Sequence, residues 1–143
     1  MEILSPAFKH NQKIPKIYTC QGEKINPPLV FSNIPEDAKF LALIVEDPDA
    51  VDGLFVHWIL HNMPIVNKLK QNASLGQEGI TTLGTTGYVP PCPPNGKHRY
   101  FFKLYALSEE LNIEKECDKD NLIEKMNGKI LAEASLIGLY EKK

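Results

Sequence analysis

The side chains able to do chemistry are spread over distant parts of the chain. Glu46-Asp47-Pro48-Asp49 ends an apolar run. Its carboxylates could orient an imidazole, share a proton with an acid or pair with an ammonium, although Asp-Pro-Asp is also a plain turn former. His57 sits inside Phe55-Val56-His57-Trp58-Ile59-Leu60. A histidine buried there must satisfy both ring nitrogens, either on backbone or on a ligand. His98 and Tyr100 are two residues apart at the start of a third apolar segment. In a strand they share a face at about 6.5–7 Å and could give two hydrogen bonds to one ligand. Cys92, within Pro90-Pro91-Cys92-Pro93-Pro94, adds a loop thiol. Arg99 points away from its neighbours. His61, near the end of its segment, is expected to be exposed.

Three chemistries compete for these residues. An aspartate, two histidines and a tyrosine could serve as acid and base groups. By type they could also ligate zinc or iron. They could simply hold an anion, with histidine and tyrosine as donors. No Gly-x-Ser-x-Gly is present, and no paired carboxylates occur beyond the turn motif. Cys92 is the one candidate nucleophile, for a cysteine-dependent enzyme. The preferred expectation is binding without turnover, with no catalytic residue, metal or cofactor. A pure protein-interaction module is the remaining alternative.

Positioning these groups requires strands. Phe40–Val45, Phe55–Leu60 and Arg99–Leu107 are rich in β-branched and aromatic residues and are bounded by turn formers. The first two are almost continuously apolar, which predicts burial on both faces. Leu29–Phe31 and Ala134–Tyr140 are weaker strand candidates. Simple alternation puts Phe55, His57, Ile59 and His61 on one face, and Val56, Trp58 and Leu60 on the other. Leu122, Ile123, Met126 and Ile130 fall at helical spacing, with Asp118 or Asp120 as the cap. The pattern predicts a mostly β protein, a β-sandwich with a small helical appendage, in one domain over 1–143. Eleven prolines, dense at 27–28 and 90–94, predict stiff loops.

Composition narrows the partners. The 143 residues are 43% hydrophobic and 24% charged, with a net charge of −2. That balance offers no basic patch for nucleic acid. No apolar stretch approaches a membrane span. No targeting segment is visible at Met1–Pro6, so the cytoplasm is the expected compartment. Cys20, Cys92 and Cys117 are odd in number and lack C-x-x-C spacing. They are expected to be reduced thiols.

Taken together, the motifs resemble the phosphatidylethanolamine-binding protein family, in its bacterial and archaeal Raf-kinase-inhibitor-like branch. The resemblance rests on Tyr18-Thr19-Cys20-Gln21-Gly22-Glu23 with Pro27-Pro28-Leu29, and on Val45-Glu46-Asp47-Pro48-Asp49-Ala50. It continues through His57-Trp58-Ile59-Leu60 and Asn62, Gly87-Tyr88, Pro91-Cys92-Pro93-Pro94 and His98-Arg99-Tyr100-Phe101-Phe102. It ends with Ala132-Glu133-Ala134 and Gly138-Leu139-Tyr140. It implies a β-sandwich-like fold with a central sheet and a short C-terminal helix, and an anion pocket lined by Asp47, His57, His98 and Tyr100, with Cys92 in the pocket loop. Asp49, Gly87 and Pro91 would form the rim or shape the loops. The implied ligand is a small anionic or zwitterionic group resembling a phosphoethanolamine head. Kinase or protease regulation and a homodimer are further family expectations. Pro90 stands where relatives commonly have glycine, and so removes one backbone donor.

Overall fold

The computed structural model describes residues 1–142. Its elements are β1 (Glu2–Leu4), β2 (Gln12–Lys13), a 3-10 turn (Lys16–Tyr18), β3 (Leu29–Ser32), β4 (Phe40–Asp47) and β5 (Phe55–Met63). After these come β6 (Lys68–Leu69), β7 (Gln77–Glu78), β8 (Lys97–Leu107), α1 (Lys119–Met126) and β9 (Ile130–Glu141). Among the described residues they form a six-stranded sheet, β2-β9-β8-β4-β5-β7, and a three-stranded sheet, β1-β3-β6. The mostly β, sandwich-like prediction is therefore met.

The apolar runs of β4 and β5 are explained by layering. Leu41, Leu43, Val45, Trp58, Leu60, Tyr100, Phe102 and Leu104 pack with Ile3, Leu29 and Phe31 of the smaller sheet in one core. Ala42, Ile44, Val56, Ile59, Tyr105 and Leu107 pack with Leu111, Leu122 and Met126 in another. A central strand covered on both faces has no polar face to show, so alternation disappears.

Helix α1 begins where Asp118 accepts a hydrogen bond from the Asn121 amide at 2.9 Å. Asp120 in its first turn and Lys125 in its last complement the helix dipole. Leu122 and Met126, one turn apart, are its buried residues, while Ile123 is 42% exposed. The spacing that extended the helix to Ile130 is overruled by Gly128, which turns the chain at φ +79°. Ile130 instead opens β9, which follows the helix as the last strand. Lys119 Nζ and Lys103 Nζ lie 2.8 and 2.9 Å from the two oxygens of the buried Glu46. This charge triad links α1 to the face of the central sheet.

Two irregularities matter for the site. Val45 pairs with Trp58 and Glu46 with Val56, so His57 is an extra residue on β5. A bulge of this kind re-aims side chains. Val56 and Ile59 stay on the helix side, Trp58 and Leu60 on the other. His57 is thereby separated from Ile59 and turns toward Tyr100, contrary to simple alternation. A second shift, between Leu41/Met63 and Leu43/Leu60, lies at Asn62, whose φ is +49°. His61 beside it is buried rather than exposed as expected, and its Nδ1 lacks a partner among the described residues. It faces the 113–116 loop and not the site.

Candidate functional site

The carboxyl end of β4, the bulge of β5 and the start of β8 meet at one end of the sheet. Asp47, His57, His98 and Tyr100 line a cavity there of about 450 Å³. Other walls come from Ala50–Phe55, Thr82, Leu83 and the proline-rich loop carrying Val89, Pro90 and Cys92–Pro94. All four predicted polar residues are buried. The His57 and Tyr100 rings meet edge-on with centroids 5.3 Å apart. Those of His98 and Tyr100 stack at 6.5 Å, as expected for i and i+2 on one strand face.

The hydrogen bonds divide this set into occupied and free groups. His98 Nδ1 lies 2.7 Å from Asp47 Oδ2, and His98 Nε2 lies 3.1 Å from the Asn95 carbonyl. Both contacts are satisfied when both ring nitrogens carry hydrogen. Asp47 Oδ1 accepts from the Asp49 amide at 2.7 Å. His98 and Asp47 thus spend their polar atoms on each other and on the backbone.

His57 donates from Nδ1 to the Val89 carbonyl at 2.7 Å, which leaves Nε2 without a protein partner among the described residues. Burial is the main cause that pushes its pKa below 6.5, against the Val89 bond and the Asp47 charge, which favour protonation. Neutral His57 with Nδ1–H therefore presents Nε2 as an acceptor. The Tyr100 hydroxyl makes no hydrogen bond within the protein among the described residues. Burial, followed by the charges of Asp47 and Asp49, pushes its pKa up, so it remains a donor. No lysine or arginine is found on the described cavity wall.

The other predicted residues lie nearby but do not all line the cavity. Cys92 does, and its sulfur is bonded to Cys20, 72 residues away. The expectation of three reduced thiols is corrected here: only Cys117 is free among the described residues. Spacing missed the bond because its partners lie on remote loops that only the fold brings to a Cα separation of 5.4 Å. Asp49 turns outward and takes a two-pronged contact from Arg99, with both bonds at 2.9 Å. Side-chain hydrogen bonds from Arg99 hold its pKa down at about 2, against the opposing effect of burial. Gly87, at φ +95°, lets the chain turn ahead of Tyr88. Tyr88 packs on Trp58 and donates to the Tyr18 carbonyl at 2.9 Å. Pro91 presents its carbonyl to the Cys20 amide at 3.1 Å.

Sequence reasoning did not single out the Val89 and Asn95 carbonyls, which hold the two imidazoles. The Val89 amide is not open to a ligand either, because its N–H is spent on the His57 carbonyl at 2.8 Å. The apolar rim was also unrecognised. Val51, Leu54 and Leu83 are 76%, 43% and 62% exposed at the cavity mouth. Their signal in the sequence is faint, because Val51 and Leu83 are single large apolar residues in turns and Leu54 merges into the run that starts at Phe55.

Comparison with known proteins agrees with this architecture. The family model described as phosphatidylethanolamine-binding protein matches residues 4–141. A UPF0098 protein of Chlamydia muridarum is 51% identical over 149 residues, covering 99% of each chain. Another, from Methanothermobacter thermautotrophicus, is 43% identical with the same coverage. The crystal structure of a phosphatidylethanolamine-binding protein homolog, CT736 of Chlamydia trachomatis, superposes with a TM-score of 0.97 at 47% identity. It covers 99% of this chain and 97% of the other. YbcL of E. coli, described as a member of the mammalian family, gives 0.88 at 27% identity, covering 99% and 98%. The chain belongs to the phosphatidylethanolamine-binding protein family.

Proposed function

We propose that the cavity binds a small anion carrying one proton, or a zwitterionic head group such as phosphoethanolamine, and releases it unchanged. The observation that carries this reading is the pair of unspent polar atoms on a buried wall, Tyr100 Oη and His57 Nε2. One donates, the other accepts, and they belong to rings in contact. A ligand matches them if it offers an oxygen acceptor beside an O–H or N–H donor. A singly protonated phosphate monoester and a carboxylic acid both qualify. A dianionic phosphate does not, because the wall supplies Asp47 and Asp52 but no lysine or arginine to offset its charge. The exposed Val51, Leu54 and Leu83 would meet the remainder of the ligand, or a kinase or protease whose activity the protein regulates.

The reading without turnover is supported by the state of the groups present. The Cys92 sulfur is bonded to Cys20 and cannot act as a thiolate. Both His98 nitrogens are engaged, so the donor set does not offer a metal three free ligand atoms.

Isothermal titration calorimetry with phosphoethanolamine at pH 6, together with phosphorus NMR of the same mixture, tests both halves. Saturable one-site heat with an unchanged ligand spectrum is expected. Absence of heat removes the binding reading; appearance of free phosphate removes the claim of no turnover.

A further inference from the structure

Both imidazoles depend on one loop. At its start, Val89 accepts from His57 Nδ1 at 2.7 Å and donates to the His57 carbonyl at 2.8 Å. At its end, Asn95 accepts from His98 Nε2 at 3.1 Å. Between these points lies Pro90-Pro91-Cys92-Pro93-Pro94. Four of those five residues have no amide hydrogen and cannot donate to the body of the protein. The middle of the loop is held by the Cys20–Cys92 disulfide and by the Cys20 amide on the Pro91 carbonyl at 3.1 Å. The link is also reachable: Cys92 is exposed and Cys20 half-buried.

We infer that the Cys20–Cys92 disulfide is a positioning element of the ligand pocket, so that a dithiol reductant lowers the pocket's affinity and reoxidation restores it. This rests on the binding function proposed above. A thiolate of the reductant attacks one sulfur of the pair, and the Cys20–Cys92 bond breaks with the other sulfur leaving as thiolate. The second thiol of the reductant then displaces the mixed disulfide. The protein gains two electrons and two protons as a pair of thiols, and the reductant ends as its own cyclic disulfide. Disulfides persist in oxidising surroundings and are opened by cytosolic thiols. The pocket would then be ordered in the first setting and slack in the second.

Once the bond is open, the loop that carries the Val89 and Asn95 carbonyls is free to move. Ligand binding must then re-order two side chains that the oxidised protein holds in place. That weakens affinity by roughly fivefold to a hundredfold. A cross-link that merely stabilised the fold would leave the affinity of the folded fraction unchanged.

The test compares full-length oxidised protein, the same protein in dithiothreitol and the double variant Cys20→Ser/Cys92→Ser. Each is titrated with phosphoethanolamine at a temperature where circular dichroism shows it folded. In parallel, proton NMR follows the His57 imidazole, which faces Asp47 and His98 across the cavity. We expect both forms lacking the disulfide to bind roughly fivefold to a hundredfold more weakly. Their His57 titration should also move up toward 6.5 as burial is relieved. Equal affinity within about twofold, with mass spectrometry showing the bond open, would overturn the inference. If the oxidised protein binds nothing, the binding reading fails instead. An unmoved His57 titration would then overturn the positioning role by itself.

Discussion

Replacing Tyr100 by phenylalanine removes one oxygen from the cavity wall and nothing from the fold. The ring stays in its contacts with His57 and His98, at 5.3 and 6.5 Å. The lost hydroxyl had no protein partner among the described residues, so no buried group is orphaned. Stability should therefore change by no more than about 0.5 kcal/mol, or about 2 °C in Tm for a chain of this length. Binding should change much more. A hydrogen bond from the hydroxyl to a charged oxygen contributes about 1.5–3 kcal/mol. At 1.4 kcal/mol per decade, that is a loss of about tenfold to 150-fold in affinity. Titration calorimetry with phosphoethanolamine at pH 6 and scanning calorimetry of the free protein measure the two quantities. An unchanged Kd would refute the assignment of Tyr100 Oη as a ligand donor. A Tm lowered by 10 °C or so would refute the claim that the hydroxyl is structurally unspent.

The site's second free atom should make the proposed binding proton-linked. With His57 held below 6.5 by burial, the shared proton of the bound state belongs to the ligand and not to the imidazole. Affinity for phosphoethanolamine should fall as pH rises through about 6–7, where a phosphate monoester loses its second proton. A calorimetric profile flat from pH 5 to 8 contradicts this, and His57→Gln should flatten it. Glu46 gives a stability prediction of opposite origin. Burial alone would raise its pKa, but the bonds from Lys119 and Lys103 outweigh burial and hold it below 4.5. A carboxylate lowered in the fold stabilises it above its unfolded value, and that contribution disappears as pH falls through the folded value. Glu46→Gln should cost roughly 1–3 kcal/mol at pH 7, and the difference from the parent should shrink below pH 4 in urea titrations. Gly138→Ala should cost about 1–3 kcal/mol in the same assay. Its Cβ would stand 2.5 Å from Ile14 Cγ1 and 2.8 Å from Phe8 Cε2.

Local pattern revealed the parts of the molecule that depend on local pattern. The runs at Phe40, Phe55 and Arg99 mark β4, β5 and β8 because central strands bury both faces. The offset of His98 and Tyr100 was legible because β8 is regular through that point. Period-two reasoning failed at His57, since a bulge is set by the partner strand and has no residue signature of its own. It failed at Cys20–Cys92 for the same kind of reason: the bond depends on two loops meeting. The helix was read four residues too long because Ile130 keeps helical spacing after Gly128 has turned the chain. His61 was misjudged because a strand end becomes buried when another loop, here 113–116, covers it. The motif resemblance supplied Asp47 and His57 as partners of His98, which spacing alone could not do.

The bulge at His57 also supplies a rule for reading insertions and deletions. Its surplus residue offers a carbonyl that β4 cannot use, and Val89 docks on it. Remove one residue from Val56-His57-Trp58 and the two strands could zip into an uninterrupted ladder. If His57 is the residue removed, Val56 and Ile59 keep the helix side and Trp58 and Leu60 the other. The shortened chain would lose the mooring of the proline loop and would turn the imbalance that aims an imidazole at the cavity into ordinary sheet. Among relatives, the length of this short stretch would therefore mark whether the pocket geometry is kept, which overall identity would not reveal.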